Sequence, residues 1–187
     1  MPVSDVQWWG MQCGTAPIRL QFPHILFLSA LVVTCLLVVP VSSAVTPDVE
    51  WAQAFGGAFA EWGNAVVSTP DGGYLLAGDA RSTASVVSSD VWLVKTSSSG
   101  SLVWERRFGG KLYENARSVI TTANGGYAVA GTTLSFSSGG GQDAWLICTD
   151  NSGTELWNQS YGSYGTDAFE SVVQTADGGF AAAGVTS

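Results

Sequence analysis

Asp71-Gly72-Gly73-Tyr74 recurs as Asn124-Gly125-Gly126-Tyr127 and again as Asp177-Gly178-Gly179-Phe180. Each copy is followed by an Ala-Gly pair, at 77–78, 130–131 and 183–184. The interval is 53 residues both times, with no gap. Working outward at that offset, Trp51, Trp104 and Trp157 coincide, as do Phe55, Phe108 and Tyr161, then Gly56, Gly109 and Gly162. Glu61, Glu114 and Asp167 fall in line, and so do Val66, Val119 and Val172. Self-similarity at a fixed period marks a repeat architecture, in which each unit is one supersecondary motif.

Each unit reads as four strands. Residues 64–69 and 73–79 flank Pro70-Asp71-Gly72, a turn signal with Gly available for positive φ. Residues 90–96 and 101–108 flank Ser98-Ser99-Gly100, a second tight hairpin. The second copy repeats the pattern at 117–122, 126–132, 143–149 and 154–161; the third holds the first two strands, 170–175 and 179–185. A four-stranded antiparallel unit of about 40–50 residues is the size of a β-propeller blade. The sequence therefore predicts an all-β chain: a partial β-propeller of about two and a half four-stranded antiparallel blades, preceded by an N-terminal signal helix. The repeats run 51–103, 104–156 and 157–187, the last truncated. The once-per-unit tryptophans are expected to wedge neighbouring sheets together. A closed ring needs roughly four to eight blades, so the missing ones are expected from a longer chain or from oligomerisation.

The leader is 1–44. Residues 25–39 are an uninterrupted apolar run, Pro40 ends any helix, and Ser42-Ser43-Ala44 offers a cleavage site after Ala44. An uncleaved anchor over 25–45 is the rival reading. Either one predicts a secreted or cell-surface location for 45–187. Translation starting at Met11 is a further alternative.

Composition narrows the function. The formal net charge is −8, and removing Asp5 and Arg19 with the leader leaves it unchanged. That balance disfavours nucleic acid and anionic lipid, so membrane contact is expected only through the N-terminal segment. His24 is the sole histidine, and Cys13 and Cys35 lie in the leader beside it, leaving Cys148 alone in 45–187. A region without histidine has no imidazole base and no His metal ligand. No catalytic residue, metal site or cofactor is expected. Glu61, Glu114 and Asp167 offer carboxylates once per unit, but a residue fixed in every repeat reads as scaffold, an acceptor for backbone N–H groups where a strand begins.

The units resemble the β-propeller repeats of secreted and surface-layer proteins of archaea and bacteria. The residues that carry the resemblance are Asp90-Val-Trp-Leu-Val-Lys-Thr96, Gly100, Trp104, Phe108-Gly-Gly110 and Asn124-Gly-Gly-Tyr127, then Asp143-Ala-Trp-Leu-Ile-Cys-Thr-Asp150, Gly153 and Trp157. Cys148 departs from the pattern by standing where the first copy has Lys95. The resemblance covers 51–187 and implies a blade; it implies no activity, since such folds host many functions.

In a propeller the loops 56–63, 80–89, 109–116, 133–142 and 162–169 share one face, and they are where the copies diverge. Divergent loops on a repeated frame are the usual place for recognition. Phe59, Trp62, Tyr113 and Tyr164 lie in them and are the ligand-binding candidates, able to stack on a sugar ring or a partner side chain. The alternative is that they pack between blades. The expectation is a non-enzymatic extracellular interaction module, with protein or glycan as partner. The competing expectation is a fragment of a propeller enzyme, a quinoprotein (PQQ-type) dehydrogenase or a glycan-active enzyme. For the former, 149–157 bears a partial likeness to the tryptophan-docking repeat of quinoprotein propellers.

Overall fold

The computed structural model describes residues 6–11, 48–81 and 88–187. All regular structure there is antiparallel sheet. β1 (Val6–Met11) pairs with β2 (Val49–Phe55). Next, β3 (Glu61–Ser68), β4 (Tyr74–Ala80), β5 (Asp90–Thr96) and β6 (Leu102–Phe108) form a four-stranded sheet in chain order. A second such sheet follows from β7 (Glu114–Thr121), β8 (Tyr127–Thr133), β9 (Asp143–Thr149) and β10 (Glu155–Tyr161). β11 (Ala168–Gln174) and β12 (Phe180–Val185) pair as a final hairpin. The apolar run 25–39 and the junction at Ala44 lie outside the described residues.

The quoted tetrapeptide closes the first hairpin of each unit. Asp71 Oδ1 accepts from the Gly73 amide at 3.1 Å and from the Thr69 hydroxyl, while the Gly72 amide donates to the Thr69 carbonyl at 2.9 Å. Asn124 and Asp177 take the neighbouring threonine hydroxyl, Thr122 and Thr175, in the same way. This is the Asx-type turn that Asp and Asn favour.

The middle strands are buried along their length, as a sheet covered on both faces requires: β8 and β9 are buried at every position. One apolar cluster joins the two four-stranded sheets, with Leu75, Leu93 and Val91 of one against Val129, Trp145 and Ile147 of the other. Each fully buried aliphatic side chain there contributes roughly 1.5–3 kcal/mol. Ala130, Leu146 and Val172 carry the packing on to the last hairpin.

The once-per-unit tryptophans bridge neighbouring sheets as expected. Trp51 of β2 meets Tyr74 of β4 with ring centroids 5.7 Å apart. Trp104 of β6 meets Tyr127 of β8 at 6.1 Å, and Trp157 of β10 meets Phe180 of β12 at 5.8 Å. The seats of Trp51 and Trp104 depend on Gly100 and Gly153, at φ of 78° and 76°, where a Cβ would fall 2.5 Å from the Trp51 ring and 2.9 Å from Trp104.

Every complete hairpin between first and second strands carries a β-bulge at one repeat position. Asn64, Arg117 and Glu170, 53 residues apart, are the residues skipped in the ladders β3–β4, β7–β8 and β11–β12. The Ala-Gly pair opposite explains the bulge's tight fit. A Cβ on Gly78, Gly131 or Gly184 would lie 1.8 Å from the carbonyl oxygen of Trp62, Asn115 or Ala168. The bulge also moves the strand starts. β3 begins at Glu61 and β7 at Glu114, so Trp62 stands on a strand and not in the expected loop 56–63. Alternation read from Val66 backward breaks at the bulge, which is why periodicity places the start too late.

The β1–β2 pair reproduces the outer half of a unit. Its ladder skips Glu50, as β5–β6 skips Val103 and β9–β10 skips Leu156. Val6 faces Phe55 as Val91 faces Phe108, so β1 stands in the position of a third strand. β1 falls inside 1–44, where the sequence predicts no strand.

Candidate functional site

The bulge residues lead to the candidate site. Trp62 lies directly across the ladder from Asp79, so the two side chains share a face. From the next sheet, β7 brings Asn115 against them. Tyr113 is fixed beside it by a parallel bridge to Ser89, with the Glu114 amide donating to the Ser89 carbonyl at 2.8 Å. The result is a cleft of about 280 Å³ lined by Trp62, Asn64, Asp79, Arg81, Tyr113 and Asn115. It straddles the seam between the two four-stranded sheets.

Asp79 is the floor, 2 % exposed. Its Oδ1 accepts from Asn115 Nδ2 at 2.6 Å and from Asn64 Nδ2 at 3.1 Å. Asn64 is positioned for this by a second bond to the Ala116 carbonyl, 2.8 Å away. Burial pushes the Asp79 carboxyl up to about 6, against the lowering pull of the two amides and of Arg117 and Arg81. The Arg81 guanidinium lies 5.1 Å from the Trp62 ring centroid, a cation–π contact that leaves Trp62 43 % exposed. Asn115 Nδ2 also reaches Tyr113 Oη at 3.4 Å. Burial, with the nearby Asp79 charge, raises the Tyr113 hydroxyl.

A second cleft of about 340 Å³ adjoins the first, lined by Asn64, Asn115, Arg117 and Glu170. Arg117 and Glu170 form an ion pair across it at 3.3 Å. Both are half-exposed, so the pair adds about 0–1 kcal/mol. Asn64, Arg117 and Glu170 are the bulge residues of the three first-to-second-strand hairpins, and they are chemically unlike one another on an otherwise repeated frame. Bulges commonly re-aim side chains next to functional sites.

Of the sequence candidates, the structure brings Trp62 and Tyr113 together and leaves the other two apart. Phe59 is half-buried in the turn before β3, and Tyr164 is 89 % exposed. Sequence reasoning missed Asn64, Asp79, Arg81 and Asn115. The signal was in the repeat itself: at the offset of 53, Asp79 meets Thr132 and Trp62 meets Asn115.

The once-per-unit acids behave as scaffold. Glu61, Glu114 and Asp167 accept the amides of Gly57, Gly110 and Ser163, four residues earlier, at 3.1, 2.9 and 3.1 Å. The other oxygen of Glu114 takes Thr133 Oγ1 at 3.0 Å and the Ser135 amide at 2.8 Å. Among the described residues, no group of three or more His, Cys, Asp or Glu is placed to hold a metal ion. No protein-family model matches the chain, and no curated protein matches it.

Proposed function

We propose that the chain is an extracytoplasmic β-propeller segment that serves as a non-enzymatic interaction module at the cell surface or in the matrix. Two observations support the propeller: four-stranded antiparallel sheets in chain order and a tryptophan joining each to the next. The remaining blades would come from a longer chain or from oligomerisation. The apolar run 25–39 and Ala44 support export.

One observation carries the interaction reading: the cleft of Trp62, Asp79, Arg81, Tyr113 and Asn115 is built from residues that do not repeat, set on a frame that does. Scaffold recurs in every unit, whereas recognition needs difference. The test is binding of the labelled full chain to glycan and matrix-protein arrays, beside Trp62→Ala and Tyr113→Ala. Loss in both variants is expected; unchanged binding in both sinks the reading.

Asp79 favours one second reading. A carboxyl held near neutrality in a cleft suits a general acid of a glycan-active enzyme. Release of nitrophenol from an aryl-glycoside panel, abolished by Asp79→Asn, would establish that instead.

A further inference from the structure

Resting on the interaction-module reading, we propose that the Trp62–Tyr113 cleft is a subsite for one neutral pyranose ring of a glycan. The ring's apolar face would lie on the aromatic wall and adjacent hydroxyls would reach the Asp79 floor.

The chemistry of the wall selects this class. A sugar hydroxyl both donates and accepts, and the cleft offers both partners side by side: the Asp79 carboxylate accepts, while the Arg81 guanidinium and Tyr113 hydroxyl donate. A carboxylate or sulfate ligand would meet Asp79 in a chain of net charge −8. An ammonium ligand would meet Arg81 in the lining, while Arg117 also acts on the Asp79 carboxylate. Only a ligand without net charge uses every lining group and is repelled by none.

Asn115 points the same way. It is 8 % exposed, and its Oδ1 has no hydrogen-bond partner among the described residues. The amide cannot turn over to escape, because Nδ2 is held by Asp79 Oδ1 at 2.6 Å and a flip would set two oxygens against each other. A buried acceptor left unpaired is costly; that oxygen is itself covered, so a ligand hydroxyl reaches it only if the Asn115 side chain, which lines the cleft, shifts on binding. Size agrees: about 280 Å³ falls just below the roughly 300–1,000 Å³ of drug-sized ligand pockets, which suits a single ring. Trp62 supplies the flat apolar surface that a pyranose C–H face needs; it is 43 % exposed with the Arg81 guanidinium over one ring face, so the sugar would stack on the other.

The experiment is saturation-transfer NMR on the full chain with methyl glucoside, methyl mannoside and methyl galactoside as probes, and with glucuronate and butylamine as charged controls. At least one neutral glycoside should bind, with contact from the Trp62 ring, and both controls should be silent. Trp62→Ala and the near-isosteric Asp79→Asn should each weaken that glycoside about tenfold, with far-UV circular dichroism unchanged. Three results overturn the proposal: no glycoside binding, equal binding in folded Trp62→Ala, or preferential binding of either charged control. All three leave array binding by the module intact. Hydrolysis of the bound glycoside would instead keep the sugar class and sink the non-enzymatic reading.

Discussion

Lys95 Nζ sits 2.8 Å from Asp71 Oδ2 and 3.0 Å from Oδ1, and 53 residues on both members of this pair have lost their charge together, as Cys148 and Asn124. Lys95 is 3 % exposed and also donates to the Thr96 carbonyl at 2.8 Å, whereas Asp71 is 62 % exposed. A buried ammonium needs its partner, and a buried thiol does not. The departure at Cys148 is thus half of a paired exchange, and the sequence pattern shows only the half in the better-defined motif.

The pair predicts a coupling. Asp71→Asn should cost about 1–2 kcal/mol, more than a surface ion pair because Lys95 is left buried and unpartnered. Asp71→Asn with Lys95→Cys, which copies the second unit, should recover most of that loss. In the second unit the order reverses: Cys148→Lys alone should destabilise more than Cys148→Lys with Asn124→Asp. Urea melts of the singles and doubles read the coupling directly, and additive effects would show that the two positions act independently.

Two aspartates predict pH dependences of opposite sign. The Lys95 ammonium, with the Thr69 hydroxyl, holds the Asp71 carboxyl well below the usual carboxylate range. Its contribution is present above the unfolded value and is lost as pH falls toward the folded one. Asp79 is raised from an ordinary 3.8 to about 6, which corresponds to roughly 3 kcal/mol. Here the folded chain holds the proton more tightly, so stability from this group is present below pH 4 and declines as pH rises to about 6. The groups facing it are Arg81, Arg117 and Tyr113. Asp79→Asn should flatten the decline between pH 4 and 6, and Asp71→Asn should flatten the acid limb. Thermal melts from pH 2 to 8 separate the two, and carboxyl NMR titration places Asp79.

Much of the fold was legible because repetition averages out accident. The Asp-Gly-Gly-Tyr turn, the buried middle strands and the bridging indoles are each written three times or nearly so, and each lies where the spacing puts it. The start of the first strand in each unit was not legible, because the bulges at Asn64, Arg117 and Glu170 reverse the in–out alternation that periodicity relies on. The site was legible only in its aromatics. Trp62 and Tyr113 stand out by residue type, but Asp79 and Asn115 sit 36 residues apart on different sheets and meet only when those sheets pack. Nothing local in the sequence announces that seam.

Burial of the Cys148 side chain, 4 % exposed, raises its thiol above the ordinary value. A thiol kept protonated and covered is a poor nucleophile. In the native chain it should be silent to an aromatic disulfide reagent over the time in which the urea-unfolded chain reacts fully. Fast native reaction would place Cys148 at the surface.

Gly131 links stability to the candidate site, because the alpha carbon that permits the bulge lies against the residue that grips Asp79. A methyl group there would sit 1.8 Å from the Asn115 carbonyl oxygen, and a backbone atom cannot swing aside as a flexible side chain can. Gly131→Ala should therefore cost about 3 kcal/mol, at the upper end of overpacking, and should push β7 away from β8. Asn115 moves with its carbonyl, which lengthens the 2.6 Å bond to Asp79. Losing an amide that lowers the carboxyl should drive the Asp79 titration above its present position near 6. Gly125→Ala is the control: it strains a residue at φ 86° but meets nothing within 4 Å and is remote from Asn115. It should cost stability without moving the Asp79 titration, so equal shifts in the two variants would show that the bulge does not set the site.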